Sequence, residues 1–379
     1  MASRPTKKES VLIHHAMRKT VKVVMYIIGG IITIFLGLIL VLWILSPGKA
    51  DPITDASGKA VEGSISTIEK ISLGGVEQYL VIRGQDATKP VMLFLHGGPG
   101  SPQVAFMKHF NTDIEKDFVM VYWEQRGAGK SYSKNVPNES MSLEQFVSDT
   151  RELSEYLSQK FNQDRIFIMG HSWGSLLGIM TAYQYPELFH AYFGIGQVAD
   201  QFRGEKVGLE WVVEQAQKNQ DKKAIKALGK LNFPDSLADN KAWLDYMTTQ
   251  RLYVNKYGGG TTREIRGMLP LVSIVFKAKE YTLRDKLNYM RGNMFSLRKM
   301  WDEVIHTNLF NQIDSMQVSV YIFHGKYDYT TPYCVSKDFY HQLKVQEKAF
   351  FTFENSAHSP LKEEVEKFNS IVREITQKY

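Results

Sequence analysis

Apolar positions along the chain fall into three patterns. Residues 23–45 form an uncharged apolar run, which at about 1.5 Å per helical residue is long enough to cross a hydrocarbon core about 30 Å thick. From residue 65 the apolar segments shorten. Residues 65–73 and 76–83, separated by Gly74-Gly75, read as an antiparallel hairpin. Val91-Met92-Leu93-Phe94-Leu95 is a solid apolar run, the mark of a strand buried on both faces, and residues 118–123, 166–169, 191–196, 318–323 and 349–353 repeat it. Between them, Ser142 and Gln145 form a capping box for a helix to about Phe161, and residues 175–185 predict another. Strands alternating with helices predict an α/β domain with a mostly parallel, twisted sheet.

The third pattern occupies residues 198–312. Strand-like runs are missing, and apolar positions recur at helical spacing: Leu209, Val212, Val213 and Ala216, then Ala224, Ala227, Leu228 and Leu231, then Trp243, Leu244 and Met247. Gly258-Gly259-Gly260 breaks the series, and further helices are expected from Arg263 and Leu283. The organisation is therefore a basic N-terminus (1–22), a membrane span (23–45), a tether rich in Pro, Gly, Asp and Ser (46–62), an α/β core (63–197 and 313–379) and a helical insertion (198–312).

Charge changes this picture only at the N-terminus. The formal charge is +6. All of that surplus lies in residues 1–50, where Arg4, Lys7, Lys8, Arg18, Lys19, Lys22 and Lys49 face a single acid, Glu9. The rest of the chain is neutral and has no excess of cations for phosphates, so a nucleic-acid partner is excluded. The apolar run exceeds the roughly 7–15 residues of a signal-peptide core, and Ser46-Pro47-Gly48 offers no small-x-small cleavage pattern. Tyr26 and Trp43 sit near its ends, as interfacial aromatics do. The expectation is a single-pass cell-membrane anchor with a cytoplasmic N-terminus and an extracytoplasmic domain. Cys334 is the single cysteine. It can form no intramolecular disulfide, which fits a bacterial surface, and is expected to be a small buried or half-buried residue.

The candidate chemistry centres on Gly170-His171-Ser172-Trp173-Gly174. A G-x-S-x-G between an apolar strand and a helix holds its serine on a sharp corner above a helix N-terminus, a nucleophile's position. Alone, such a motif recurs by chance in roughly one chain in ten of this length. His96-Gly97-Gly98-Pro99-Gly100 closes an earlier buried strand, where glycines let backbone N–H groups approach a ligand. Asp328 follows the strand at 318–323, ahead of Thr331 and Pro332, expected as N-cap and first residue of the next helix. His358 follows the last strand. His96, His324 and Asp314 are rivals in type, but only His358 comes after the final strand with an acid on the preceding strand's loop. The stretch from Glu124 to Ser131 lacks phosphate-loop spacing, and Arg126 is expected to make structural hydrogen bonds. No His, Cys and Glu cluster has metal-ligand spacing, so neither metal nor cofactor is expected.

Three motifs in register, His96-Gly97-Gly98-Pro99-Gly100, Trp123-Glu124-Gln125-Arg126-Gly127-x-Gly-x-Ser131 and Gly170-His171-Ser172-Trp173-Gly174-Ser175, resemble those of proline iminopeptidases and tricorn-interacting aminopeptidase relatives. Glu124 departs from the aspartate usual there. The resemblance implies an α/β-hydrolase fold in which the insertion is a cap over the site. It also implies a triad in the order Ser172, Asp328, His358. Backbone N–H groups of Gly98 and Trp173 would then form an oxyanion hole, and cap carboxylates would hold a substrate's α-ammonium. Glu205 and Glu210 lie just inside the cap, and Glu205 is the candidate for that contact. The expected activity is a membrane-anchored serine exopeptidase releasing N-terminal residues, proline in type, from short peptides. The alternatives are an esterase or amidase using the same triad on a non-peptide acyl substrate, and a catalytically silent surface binding protein. Oligomeric state is left open.

Overall fold

The computed structural model describes residues 7–235, 240–265 and 267–379. Residues 1–6 of the basic N-terminus, with Arg4, and residues 236–239 and 266 of the insertion lie outside them. Helix α1 (Lys7–Ile44) begins well before the predicted span, because Arg18, Lys19 and Lys22 continue its helical path. Its stretch Met17–Ile44 is long and apolar enough to cross a membrane and is covered by no other described part of the protein.

Residues 46–51, expected within a tether, are instead fastened to the body. Pro47 bridges Thr282, the Lys49 N–H donates to the Lys279 carbonyl at 3.0 Å, and the Asp51 carbonyl accepts from Arg83 at 3.0 Å. Peptide groups leaving a helix need partners, and the body supplies them here.

The sheet has eight strands: β1 (Ile65–Leu73), β2 (Val76–Gly84), β3 (Val91–Leu95), β4 (Val119–Glu124), β5 (Ile166–His171), β6 (Phe189–Ile195), β7 (Ser319–Gly325) and β8 (Lys348–Phe353). Their spatial order is β1-β2-β4-β3-β5-β6-β7-β8, with β2 antiparallel to both neighbours and every other pair beyond it parallel. Side chains alternate between two cores, as strand geometry requires. Leu93, Leu95, Ile166 and Ile168 face one core with α3 (Leu143–Phe161) and α4 (Trp173–Gln184). Met92, Phe94, Phe167 and Met169 face the other with α2 (Val104–Phe110).

The insertion consists of α5 (Gln201–Lys218), α6 (Lys222–Leu228), α7 (Asn240–Lys256), α8 (Met268–Lys277), α9 (Leu283–His306) and α10 (Leu309–Gln312). Helix α8 starts at Met268 rather than at Arg263, whose backbone N–H is taken by Glu363 at 2.7 Å. Helix α9 reaches across both cores, with Tyr289 in one and Met300 and Trp301 in the other. The chain closes with α11 (Tyr333–Gln342), α12 (Pro360–Glu363) and α13 (Val365–Thr376). Phe368, Val372 and Ile375 of α13 recur at helical spacing and are buried on the second core, each contributing about 1.5–3 kcal/mol of apolar burial.

Register aligns the carboxyl ends of the strands: Leu95 pairs with Gly170, His171 with Ile195, Ile195 with Phe323 and Gly325 with Phe353. Loops bearing His96, Ser172, Gly196, Asp328 and His358 therefore leave one edge of the sheet. In open parallel sheets this edge is where ligands bind.

Candidate active site

The β5–α4 corner is as tight as its sequence predicts. Ser172 has φ 57° and ψ −122°, a conformation costing about 1–3 kcal/mol for a side-chain-bearing residue. Its N–H donates to the Ile195 carbonyl at 2.9 Å, which fastens the corner to the next strand. A Cβ on Gly170 would lie 2.1 Å from the Gly174 carbonyl oxygen, and one on Gly174 would lie 2.1 Å from that of Leu95. Both glycines are required by close packing of α4 on the sheet.

Asp328 is buried after β7 and accepts four hydrogen bonds. Its Oδ1 takes the N–H groups of Thr330 (2.9 Å) and Thr331 (3.0 Å). Its Oδ2 takes the Thr331 hydroxyl (2.9 Å) and His358 Nδ1 (2.7 Å), with His324 Nε2 3.2 Å away. Burial alone pushes this carboxyl up, but His358 and the donors around it hold it well below the usual carboxylate range. Thr331 thus faces the acid instead of capping α11, whose N-cap is Pro332. His324 donates to the Thr331 carbonyl at 2.8 Å, so it braces the Asp328 loop. His96 lies behind the glycine loop, and exposed Asp314 is not at this edge.

His358 sits where the last loop meets the cap. Its N–H donates to the Gly260 carbonyl at 3.1 Å, and its carbonyl accepts from His171 Nε2 at 2.8 Å. Burial holds His171 well below its ordinary pKa and therefore neutral. Glu363 accepts from the Ala357 N–H at 3.0 Å as well as from Arg263, tying the His358 loop to the cap. Gly196, at φ 54°, directly follows β6, and a Cβ there would lie 2.9 Å from His358 Nδ1. The space for the ring is therefore made by a residue without a side chain.

Gly98 and Trp173 line one cavity together with Ser172 and His358. Trp173 is the first residue of α4, so its N–H falls outside the intrahelical ladder. Gln125 couples the two segments. Its N–H donates to His96 Nε2 (3.2 Å), its side-chain amide donates to the His96 carbonyl (3.3 Å), and its Oε1 accepts from the Trp173 indole (2.9 Å). Sequence reading passed over Gln125, although it lies within the motif that carries the family resemblance. Its neighbour Arg126 makes the expected structural bonds, reaching both oxygens of buried Asp149 at 2.7 and 2.9 Å.

Two cavities meet at Ser172 and His358. One, about 290 Å³, has largely apolar walls including Phe106, Leu271, Val275 and Met290. The other, about 380 Å³, is lined by Gln201, Arg251 and Asn255 as well as apolar side chains. Among the described residues no Asp or Glu lines either cavity. Glu205, the candidate ammonium ligand, is buried away from both, its carboxylate engaged by Gln201 (2.7 Å) and by both terminal nitrogens of Arg251. Glu210 is exposed, and so is Cys334, which was expected to be buried or half-buried. Cys334 lies in the first turn of α11 on its outward side.

Residues 90–365 match the family described as the alpha/beta hydrolase fold. The chain is 34% identical over 303 residues to the probable aminopeptidase YbaC of Bacillus subtilis, covering 79% of this chain and 93% of that protein. It is 26% identical over 278 residues to a putative proline iminopeptidase of Mycoplasma genitalium, covering 67% of this chain and 80% of that one. The solved proline iminopeptidase of Mycobacterium smegmatis superposes with a TM-score of 0.57 at 15% identity, over 82% of this chain and 98% of that structure. Motifs, sheet topology and these likenesses agree: the chain belongs to the α/β-hydrolase family, resembles its proline iminopeptidases, and is a hydrolase.

Proposed function

We propose that the chain is a membrane-anchored serine hydrolase in which Ser172, His358 and Asp328 form the triad. The observation carrying this reading is the 2.7 Å bond from His358 Nδ1 to Asp328, in a cavity shared with a serine on a strained strand–helix corner. His358 Nε2 takes the Ser172 proton as Oγ attacks a carbonyl carbon, and later returns it to the leaving group. Asp328 keeps the proton on Nδ1 and stabilises the imidazolium. Backbone N–H groups of Gly98 and Trp173 receive the oxyanion, at about 3 kcal/mol per donor in comparable sites. Water then attacks the acyl-enzyme and frees the acid.

The named relatives favour release of N-terminal residues, proline in type, from short peptides. A second reading, an esterase or amidase of non-peptide acyl substrates, is favoured by the two cavity linings, which offer an α-ammonium no carboxylate among the described residues. Purified full-length chain assayed on prolyl and alanyl p-nitroanilides and on p-nitrophenyl esters separates them. Nitroanilide turnover abolished by Ser172→Ala supports the peptidase. Ester turnover alone supports the second reading, and activity unchanged in Ser172→Ala overturns the triad. The anchor reading rests on α1, whose apolar stretch begins with Met17 just before Arg18, Lys19 and Lys22. With the basic end cytoplasmic, catalysis takes place on the outer side.

A further inference from the structure

The end of α1 and the wall of the apolar cavity share one side chain. Lys286 of α9 is buried, and its Nζ donates to the Leu45 carbonyl (3.1 Å), the Ser46 hydroxyl (2.9 Å) and the Phe276 carbonyl (2.7 Å). An ammonium thereby satisfies orphan carbonyls at the carboxyl ends of both α1 and α8. Lys286 also lines the apolar cavity, together with Leu271, Val272, Val275 and Phe276 of α8 and Met290 of α9.

Exposed side chains around this junction include apolar Leu287 beside basic Lys277, Lys279 and Arg284, and Leu269 stands in the first turn of α8, about 10 Å along it from Phe276. Leu269 is 84% exposed, Leu287 53% and Met290 46%. Leu287 follows Lys286 in the chain, and Met290 lies one helical turn beyond it, about 5–6 Å along α9. Among the described residues, most other large exposed apolar side chains lie on α1, Trp43 among them, or at Leu45 just after it. Exposed apolar side chains near a membrane helix, flanked by basic ones, mark a membrane-seated surface. Leu269 and Leu287 line neither cavity, so filling the site would not cover them.

We propose that the substrate is an amphiphile taken from the bilayer, its fatty acyl chain filling the apolar cavity of α2, α8 and α9 and its ester or amide carbonyl lying at Ser172. The inference rests on the triad and anchor readings given above, and not on the peptidase reading. The acyl side is assigned to this cavity because the departing group must reach water, and the second cavity, with Gln201, Arg251 and Asn255, is the polar route. Leu269 and Leu287 seat the mouth among the lipids, so that a chain passes from bilayer to cavity without crossing water.

The test uses full-length protein in phosphatidylcholine–phosphatidylglycerol vesicles, with p-nitrophenyl butyrate and p-nitrophenyl decanoate as probes. The decanoate is expected to show a kcat/KM at least about tenfold above the butyrate, since each buried methylene adds discrimination. Val272→Trp, which narrows the cavity, should lower the decanoate-to-butyrate ratio at least about tenfold. Leu269→Lys with Leu287→Lys changes only exposed positions and keeps the fold. It should slow the vesicle-borne decanoate at least about tenfold more than the water-soluble butyrate. Equal rates for the two chain lengths, or a Val272→Trp effect equal on both, overturn the proposal while leaving the triad standing. Failure to hydrolyse either ester or the prolyl p-nitroanilide overturns the triad reading and this inference with it.

Discussion

Arg251 and Glu205 form a two-pronged ion pair in the cap, with Arg251 also reaching the wall of the second cavity. Burial pulls the guanidinium pKa down, and the facing carboxylate more than restores it. Planar guanidinium and carboxylate match in geometry as well as charge, so the pair is a fixed part of the cavity wall. Removing one partner of such a pair is costlier than removing both. Glu205→Gln is expected to lose about 3–5 kcal/mol of stability in urea unfolding. Glu205→Gln with Arg251→Gln should lose less than the sum of the single changes by at least about 1 kcal/mol.

Gly196 governs the seat of His358. In Gly196→Ala the new methyl meets the imidazole at 2.9 Å on a backbone at φ 54°, so the ring must move. A displacement of about 1 Å at a catalytic group costs on the order of 10²-fold in rate. The expected signature is a fall of that size in kcat with KM little changed, measured on whichever p-nitrophenyl substrate proves best, with unfolding shifted by about 1 kcal/mol.

Asp328 is expected to matter through proton placement. Asp328→Asn should lower kcat by about 10⁴-fold, by analogy with the acid of the chymotrypsin-type triad. Thr331→Val removes one hydrogen bond to the same ionised oxygen and should lower kcat by roughly ten- to a hundredfold, in line with about 1.5–3 kcal/mol for a bond to a charged group. Equal loss in both variants would assign Asp328 a purely structural part.

Glu124 gives a pH signature. Burial is the main cause that raises its carboxyl to about 7, with the Lys130 N–H drawing it back in part. The folded chain keeps a proton that the unfolded chain releases near pH 4.5. The stability this contributes is therefore fully present below about 4.5 and is lost as pH rises through about 7, roughly 3 kcal/mol in all. Buried His96, lowered to about 4 by desolvation, works in the opposite direction: its contribution is lost as pH falls from about 6.5 to about 4. Subtracting one chain from the other cancels His96. The stability of wild type minus that of Glu124→Gln should shrink by about 3 kcal/mol between pH 4.5 and 7.5 in guanidinium unfolding at each pH.

The strands were legible because each is a short, solid apolar run, and the observed bounds differ from the expected ones by only a few residues. Ser172, Asp328 and His358 could be picked out together because each follows such a run, and parallel register brings run ends to one edge. What escaped depends on contacts remote in sequence. The Glu205 partner lies 46 positions away, and the Lys286 contact with Leu45 spans 241. No periodicity encodes such pairs. Thr331 was misread because Thr-Pro is a good helix start, while a buried carboxylate three residues earlier made a stronger claim on its hydroxyl. Gln125 escaped because a glutamine between two charged residues carries no signature of the three bonds it makes.

The Lys286 junction leaves no slack between the first helix and the body. A domain on a loose leash sweeps a hemisphere and meets its targets in any orientation, whereas one joined rigidly at the helix end has its attitude set when it folds. On the anchor reading proposed above, the search for substrate becomes lateral diffusion in two dimensions, with Ser172 held at one height above the lipid plane.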